Sequence, residues 1–203
     1  MEKIGESANI RKIAITGAIS SGKSALSDFL AKQGAYVIKA DDLVHKLLSN
    51  DPSIIQQIKT AFGDVLTNNT IDRKKIASLV FQDKEKLEKL EAILHPKVLE
   101  EIKVRYKTMA STSYKAFAVE FPLLFEINFA SWFDTVVYVD SDPALCKKRF
   151  ISRGFTEEEY SKRSARFLSE GLKKKQSDII INNSGSLREL EEAATEILSN
   201  RDL

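Results

Sequence analysis

The chain has 203 residues, with 31 basic and 29 acidic side chains and a 43% hydrophobic fraction, a mixture that excludes a disordered or fibrous protein. A net charge of +2 is too small for a general nucleic-acid binder, which needs a concentrated basic face, and the lone cysteine, Cys146, excludes an intrachain disulfide and fits a reducing compartment. Met1 to Lys12 lacks the apolar run of a secretory signal and no segment is long and apolar enough to span a bilayer, so the expectation is a cytoplasmic protein with one sizeable core and no membrane partner.

In chain order, Ile13 to Thr16 is the first run rich in β-branched residues, of the kind that suits a parallel strand buried on both faces. Tyr36 to Lys39, just after the turn signal Gly34, is a second, and Ala116 to Phe121, Thr135 to Val139 and Asp178 to Ile181 follow. Helical patterns between them predict an α/β fold with a five-stranded parallel sheet. From Leu43 to about Ala110 the chain reads instead as consecutive helices with no strand. Asp51-Pro52, Asp72, Asp83 and His95-Pro96 look like helix starts, and Leu87, Leu90 and Leu94 recur at helical spacing. A connection this long is a helical subdomain inserted into the sheet fold. Further on, Ser141-Asp142-Pro143 predicts a helix carrying Arg149 and Arg153 on one face and ending at Gly154. Thr156 to Glu159 is a capping box for a polar helix with Arg163 and Arg166. Ser186 to Glu189 is another, opening an amphipathic helix with Leu187, Leu190, Ala194, Ile197 and Leu198 inward.

The first strand runs into Gly17-Ala18-Ile19-Ser20-Ser21-Gly22-Lys23-Ser24, and a helical stretch follows from Ala25. Strand, glycine loop ending in Lys-Ser, and helix make a P-loop. The glycines let backbone amides turn toward phosphate oxygens, and the helix adds its positive dipole end. Lys23 would reach the terminal phosphates and Ser24 would ligate magnesium. Such a loop serves switches, motors and kinases alike, but the Asp-x-x-Gly switch and the Asn-Lys-x-Asp guanine motif are both missing. A small-molecule kinase needs an acceptor site, a carboxylate near the attacking hydroxyl, and arginines over the transferring phosphoryl group. Asp41, at the carboxyl end of the second strand, is placed to be that carboxylate or a helix cap; Asp42 follows it immediately, and one of the two must face away. Arg149, Arg153, Arg163 and Arg166 supply candidate arginines, or a solvated helix face.

From Ile13 to about Leu190, the ordered motifs resemble those of the dephospho-CoA kinase family. After the P-loop, Gly34 to Asp42 is similar to the family's segment ending in an Ala-Asp pair. Phe62-Gly63, Arg73, Val80-Phe81 and His95-Pro96 recur in the inserted helices, and Pro122-Leu123-Leu124-Phe125-Glu126 is the most distinctive match. Arg149, Arg153-Gly154, Arg163 and the stretch from Asp178 through Asn183 to Gly185 continue the pattern.

The resemblance implies a P-loop kinase that transfers the γ-phosphoryl group of ATP, with magnesium, to the ribose 3′-hydroxyl of dephospho-CoA. By that likeness Asp41 is catalytic, with Lys23, Arg149 and Arg153 stabilising the transferring group. Gly17, Ser20, Ser21, Gly22, Lys23, Ser24 and Ala25 hold ATP, Asn183 borders the adenine, and Ser24 binds the metal. Asp41, His95, Pro122, Leu123, Glu126 and Arg163 hold the acceptor. The implied division is a core of 10–42, 111–148 and 176–203, an acceptor subdomain at 43–110 and a lid at 149–175, with no nucleic-acid or obligate protein partner. The chain departs from the family in two places. Ala18 and Ser20 replace usual glycines, so Ser20 must take a backbone shape usually given to glycine, and Arg166 stands where glutamine is common. Apart from the resemblance, Pro122 to Glu126 is a turn packing Leu123, Leu124 and Phe125, His95-Pro96 is a helix start, and Lys173-Lys174-Lys175 is a solvated face rather than a phosphate clamp. A kinase for nucleosides, nucleotides or sugar acids, or a non-catalytic nucleotide switch, stays open as an alternative.

Overall fold

The structure is a computed structural model that describes residues 10–67, 70–80, 83–109 and 113–200. The chain begins with β1 (Lys12–Gly17), α1 (Lys23–Lys32) and β2 (Tyr36–Lys39). It continues through α2 (Ala40–Asn50), α3 (Pro52–Phe62), β3 (Leu66–Thr67), β4 (Thr70–Ile71), α4 (Arg73–Val80) and α5 (Lys84–Met109). Then come β5 (Phe117–Glu120), β6 (Thr135–Asp140), α6 (Pro143–Ile151), α7 (Glu157–Ser164), α8 (Glu170–Lys175), β7 (Ile179–Asn182) and α9 (Leu187–Ser199). Two compact units emerge, one drawn from Met1–Lys39 and Thr108–Leu203, the other from Ala40–Lys107.

In the first unit, five parallel strands lie in the order β2-β5-β1-β6-β7. Because side chains alternate along a strand, Ile13, Ile15, Ala118, Val137 and Val139 point to one face, where Leu26 and Leu30 of α1 and Leu190, Ala194 and Ile197 of α9 cover them. Ala14, Phe117, Val119, Val136 and Tyr138 alternate with them and are also buried, as a parallel sheet covered on both faces requires. Phe117 meets Trp132 edge-on, and Trp132 stacks on Phe129. All five strands expected from sequence are present with ends shifted by a residue or so. Asp178 precedes β7, where its carboxylate accepts the Val136 amide at 2.7 Å.

The predicted caps form where local chemistry alone decides them. Asp142 accepts the Ala144 and Leu145 amides, and both capping boxes close reciprocally. Three details differ. The helix α6 stops at Ile151, so Arg153 lies in the following turn, which ends at Gly154 with φ 90, and it does not share a helix face with Arg149. Arg166 likewise lies beyond α7. Leu187 is 66% exposed rather than inward: a helical side chain leans back toward the N-terminus, and at the first position it leans past the packed layer.

In the second unit, Asp51, Asp72 and Asp83 receive first-turn amides, as the sequence predicts. The expectation of no strand is corrected by β3 and β4, which pair antiparallel. Two residues each are too few for a period-two pattern to register; the intervening Asn68 and Asn69, like Phe81 and Ala110 named above, lie outside the described residues. His95-Pro96 does not start a helix either, since both sit inside α5. Leu90, Leu94, Val98 and Ile102 form one buried stripe that crosses the proline, and its packing outweighs the hydrogen bond Pro96 removes. Among the described residues no helix is long and apolar enough to cross a membrane.

Leu190, 1% exposed, and Leu187, three residues before it, give a direct test of this packing. In urea unfolding, Leu190→Ala is expected to cost about 2–5 kcal/mol, whereas Leu187→Ala should stay within about 0.5 kcal/mol of the parent.

Candidate active site

The loop between β1 and α1 is shaped by close approaches. A side chain at Gly17 would collide with the Val139 carbonyl, and one at Gly22, where φ is 107, would collide with the Asn183 amide. Ser20 takes the left-handed conformation expected of it, with φ 57, at a cost of about 1–2 kcal/mol for a residue with a Cβ. The Lys23 ammonium donates to the carbonyls of Gly17 at 3.2 Å and Ala18 at 2.7 Å, lying along the loop it would use to reach a phosphate. Ser24 Oγ donates to Glu120 Oε1 at 2.7 Å, and the other oxygen, Glu120 Oε2, is buried with no hydrogen-bond partner among the described residues.

Asn183, immediately after β7, braces this loop. Its side-chain amide donates to the Ser21 carbonyl at 2.7 Å and its backbone amide to the Asp140 carbonyl at 2.7 Å. The Asn183 carbonyl in turn accepts from Ser141 Oγ and from Arg149 Nη2, and Arg149 Nη1 donates to Ser141 Oγ. The half-buried Arg149 is therefore engaged at the ends of β6 and β7. Arg153 is exposed, and its guanidinium makes no hydrogen bond or ion pair with another described residue. Arg163 lies over the rings of Phe155 at 4.7 Å and Phe150 at 5.4 Å, and pairs with Glu159 at 3.9 Å.

After β5, Leu124 and Phe125 are buried and Leu123 is half-buried. The Pro122 carbonyl accepts from Thr16 Oγ1 at 3.4 Å and from Lys173 Nζ at 2.9 Å. Glu126 Oε1 accepts the Leu168 amide at 2.8 Å and pairs with Lys173 at 2.7 Å. Lys173 is only 2% exposed, and Lys174 pairs with Asp140 at 2.8 Å. The expectation of a solvated face over Lys173 to Lys175 thus holds only for Lys175. Burial lowers the Lys173 pKa, with the Glu126 carboxylate pulling the other way. Burial also pushes the Cys146 thiol up, in keeping with an inert packed residue.

Asp41 and Asp42 occupy the first turn of α2, both exposed, and neither carboxylate is held by a hydrogen bond or ion pair among the described residues of its unit. His95 is half-buried in the interior of α5. Sequence reasoning missed Glu120 and Lys173. An acidic residue closing the otherwise apolar run Phe117-Ala118-Val119 is a signal that could have found Glu120; nothing local marks Lys173 among three lysines.

The brace makes a checkable claim. Asn183→Ala would leave the buried Ser21 carbonyl without its donor, and a loss of about 1–3 kcal/mol is expected in thermal or urea unfolding.

A family model described as dephospho-CoA kinase matches residues 11–189. The dephospho-CoA kinase of Protochlamydia amoebophila is 38% identical over 192 residues, covering 93% of this chain and 95% of that one. That of Chlamydia pneumoniae is 35% identical over 188 residues, covering 91% and 93%. Among solved structures, a Thermus thermophilus protein is similar with a TM-score of 0.79 at 29% identity, covering 94% of this chain and 97% of its own. The Campylobacter jejuni dephospho-CoA kinase is similar with a TM-score of 0.63 at 25% identity, covering 93% and 96%.

Proposed function

The chain belongs to the dephospho-CoA kinase family, and on that premise we infer that it transfers the γ-phosphoryl group of ATP to dephospho-CoA to give coenzyme A. The observation that carries this reading is the loop with Lys23 laid along it and Ser24 held against a buried carboxylate, a phosphate cradle with a place for a cation beside it.

In this reading ATP lies along Ser20 to Ala25 with its phosphates against the loop amides from Gly17 to Gly22. Lys23, which donates to two backbone carbonyls, gains a full charge–charge attraction when it turns to anionic phosphate oxygens. The residues present fit a magnesium ion, because Ser24 Oγ and the unpartnered Glu120 Oε2 offer it two oxygens. When bound, that ion neutralises charge on the phosphate oxygens. Asp41, exposed in the first turn of α2, orients or deprotonates the ribose 3′-hydroxyl for in-line attack. Arg153 is the exposed arginine available to the transferring group, while Arg149 acts on the loop through Asn183.

The segment 149–175 serves as a lid and the helical unit as the acceptor subdomain. Arg163, Pro122, Leu123 and His95 belong to the proposed acceptor contacts, and Glu126 Oε2, without a hydrogen-bond partner among the described residues, is available for one. Asn183 supports the adenine end of the site through the loop it braces.

An acceptor panel of dephospho-CoA, nucleosides, nucleotides and sugar acids, run with ATP and magnesium, should give its highest turnover with dephospho-CoA. Phosphorylation no faster than background ATP hydrolysis would sink the assignment, and turnover of any acceptor excludes a non-catalytic switch. Asp41→Asn should lower kcat by about 10²- to 10⁴-fold and Asp42→Asn should leave it nearly unchanged; the reverse result would exchange their roles.

A further inference from the structure

We propose that Lys173 and Glu126 are a positioning pair that fixes the segment from Phe167 to Lys173 onto the loop after β5, and so sets the proposed lid relative to the nucleotide loop. The inference rests on the reading of residues 149–175 as a lid. Its contacts form one continuous path. The Leu168 amide donates to Glu126, Glu126 pairs with Lys173, and Lys173 donates to the Pro122 carbonyl. That carbonyl also accepts from Thr16, the residue before Gly17. The Lys173 ammonium lies 4.5 Å from the centre of the Phe167 ring, which adds a third favourable contact.

Apolar burial holds only part of the segment: Phe167 is half-buried, Leu168 and Leu172 are 39% and 50% exposed, and the next polar tie is the Lys174–Asp140 pair at its far end. A buried ion pair is also a poor device for stability alone, since each ion loses several kcal/mol of hydration and a well-packed apolar pair often serves as well or better. What the pair supplies is geometry: one carboxylate oxygen receives both a backbone amide of the segment and the ammonium of its following helix. A lid set wrongly would admit water and misplace its arginines, and a displacement of about 1 Å costs roughly 100-fold in rate.

Lys173→Met and the double variant Glu126→Gln/Lys173→Met separate positioning from folding, because the double variant leaves no unpaired buried charge. The measurements are melting temperature, kcat, KM for ATP, the ratio of ADP released to acceptor phosphorylated, and hydrogen exchange at the Leu168 amide without substrate. The double variant is expected to melt near the wild-type temperature with its KM for ATP little changed. Its kcat should fall by about 10- to 100-fold, its ADP-to-product ratio should rise above that of the wild type, and the Leu168 amide should exchange faster. Wild-type kcat and coupling in the double variant, or an unchanged Leu168 exchange rate in both variants, would overturn the proposal. So would a double variant that no longer melts cooperatively, since the pair would then belong to the fold. Absence of wild-type turnover would count against the acceptor assignment instead, and the exchange measurement still decides the pair.

Discussion

The hydrogen bond from the Asn183 side chain to the Ser21 carbonyl is the tie on which the nucleotide loop depends. A loop that presents its amides outward has few internal hydrogen bonds of its own; here Ser21 N to Ala18 O, at 3.2 Å, is one. Its shape must therefore be imposed from the strands around it. Asn183 does so from the end of β7, and its own position is fixed by the Asp140 carbonyl, Ser141 and Arg149. The same contact explains Gly22, because the Asn183 amide occupies the space a Cβ would need. Removing either side chain's partner loosens a chain of contacts rather than one bond, which is why Arg149 matters to the loop without touching it.

Charge is placed with equal care around that loop. Lys23 donates to the Gly17 and Ala18 carbonyls, neutral acceptors that lack the charge a phosphate would offer it. Glu120 is tied by one oxygen to Ser24 and leaves the other buried, an arrangement that favours a cation at that point. On the far side of Pro122, Glu126 and Lys173 pair in a site where either charge alone would be strongly disfavoured. Glu120 closes β5 and Glu126 lies in the turn after it; each is tied through one oxygen, Glu120 to Ser24 beside the loop and Glu126 to the segment that follows α7.

The sheet was legible in sequence because runs such as Thr135 to Val139 are buried on both faces and so carry their β-branched signature without interruption. The caps at Asp51, Asp142, Thr156 and Ser186 were legible because each depends on three or four neighbouring residues. The loop from Gly17 to Ser24 was legible for the same local reason. What escaped was decided at long range. Pro96 reads as a helix start until the stripe of Leu94 and Val98 on either side is seen packed. Lys173 reads as surface because its partner lies in a distant part of the chain. The β3–β4 pair is too short to announce itself.

Ser20 shows how a departure from the family's glycine-rich loop is accommodated. Its left-handed backbone costs about 1–2 kcal/mol, but a serine also has fewer unfolded conformations to lose than a glycine, which returns about 0.4–1 kcal/mol. The net penalty is about 0–1.6 kcal/mol, comparable to or smaller than the contribution of about 1–3 kcal/mol from keeping the buried Ser21 carbonyl paired. A penalty of that size is offset by ties to the neighbouring backbone, and the Asn183 bond to the Ser21 carbonyl is the one next to Ser20. The glycine-poor loop and the Asn183 brace therefore belong together: what the loop gives up in backbone freedom is made good by a side chain that leaves it one shape to adopt.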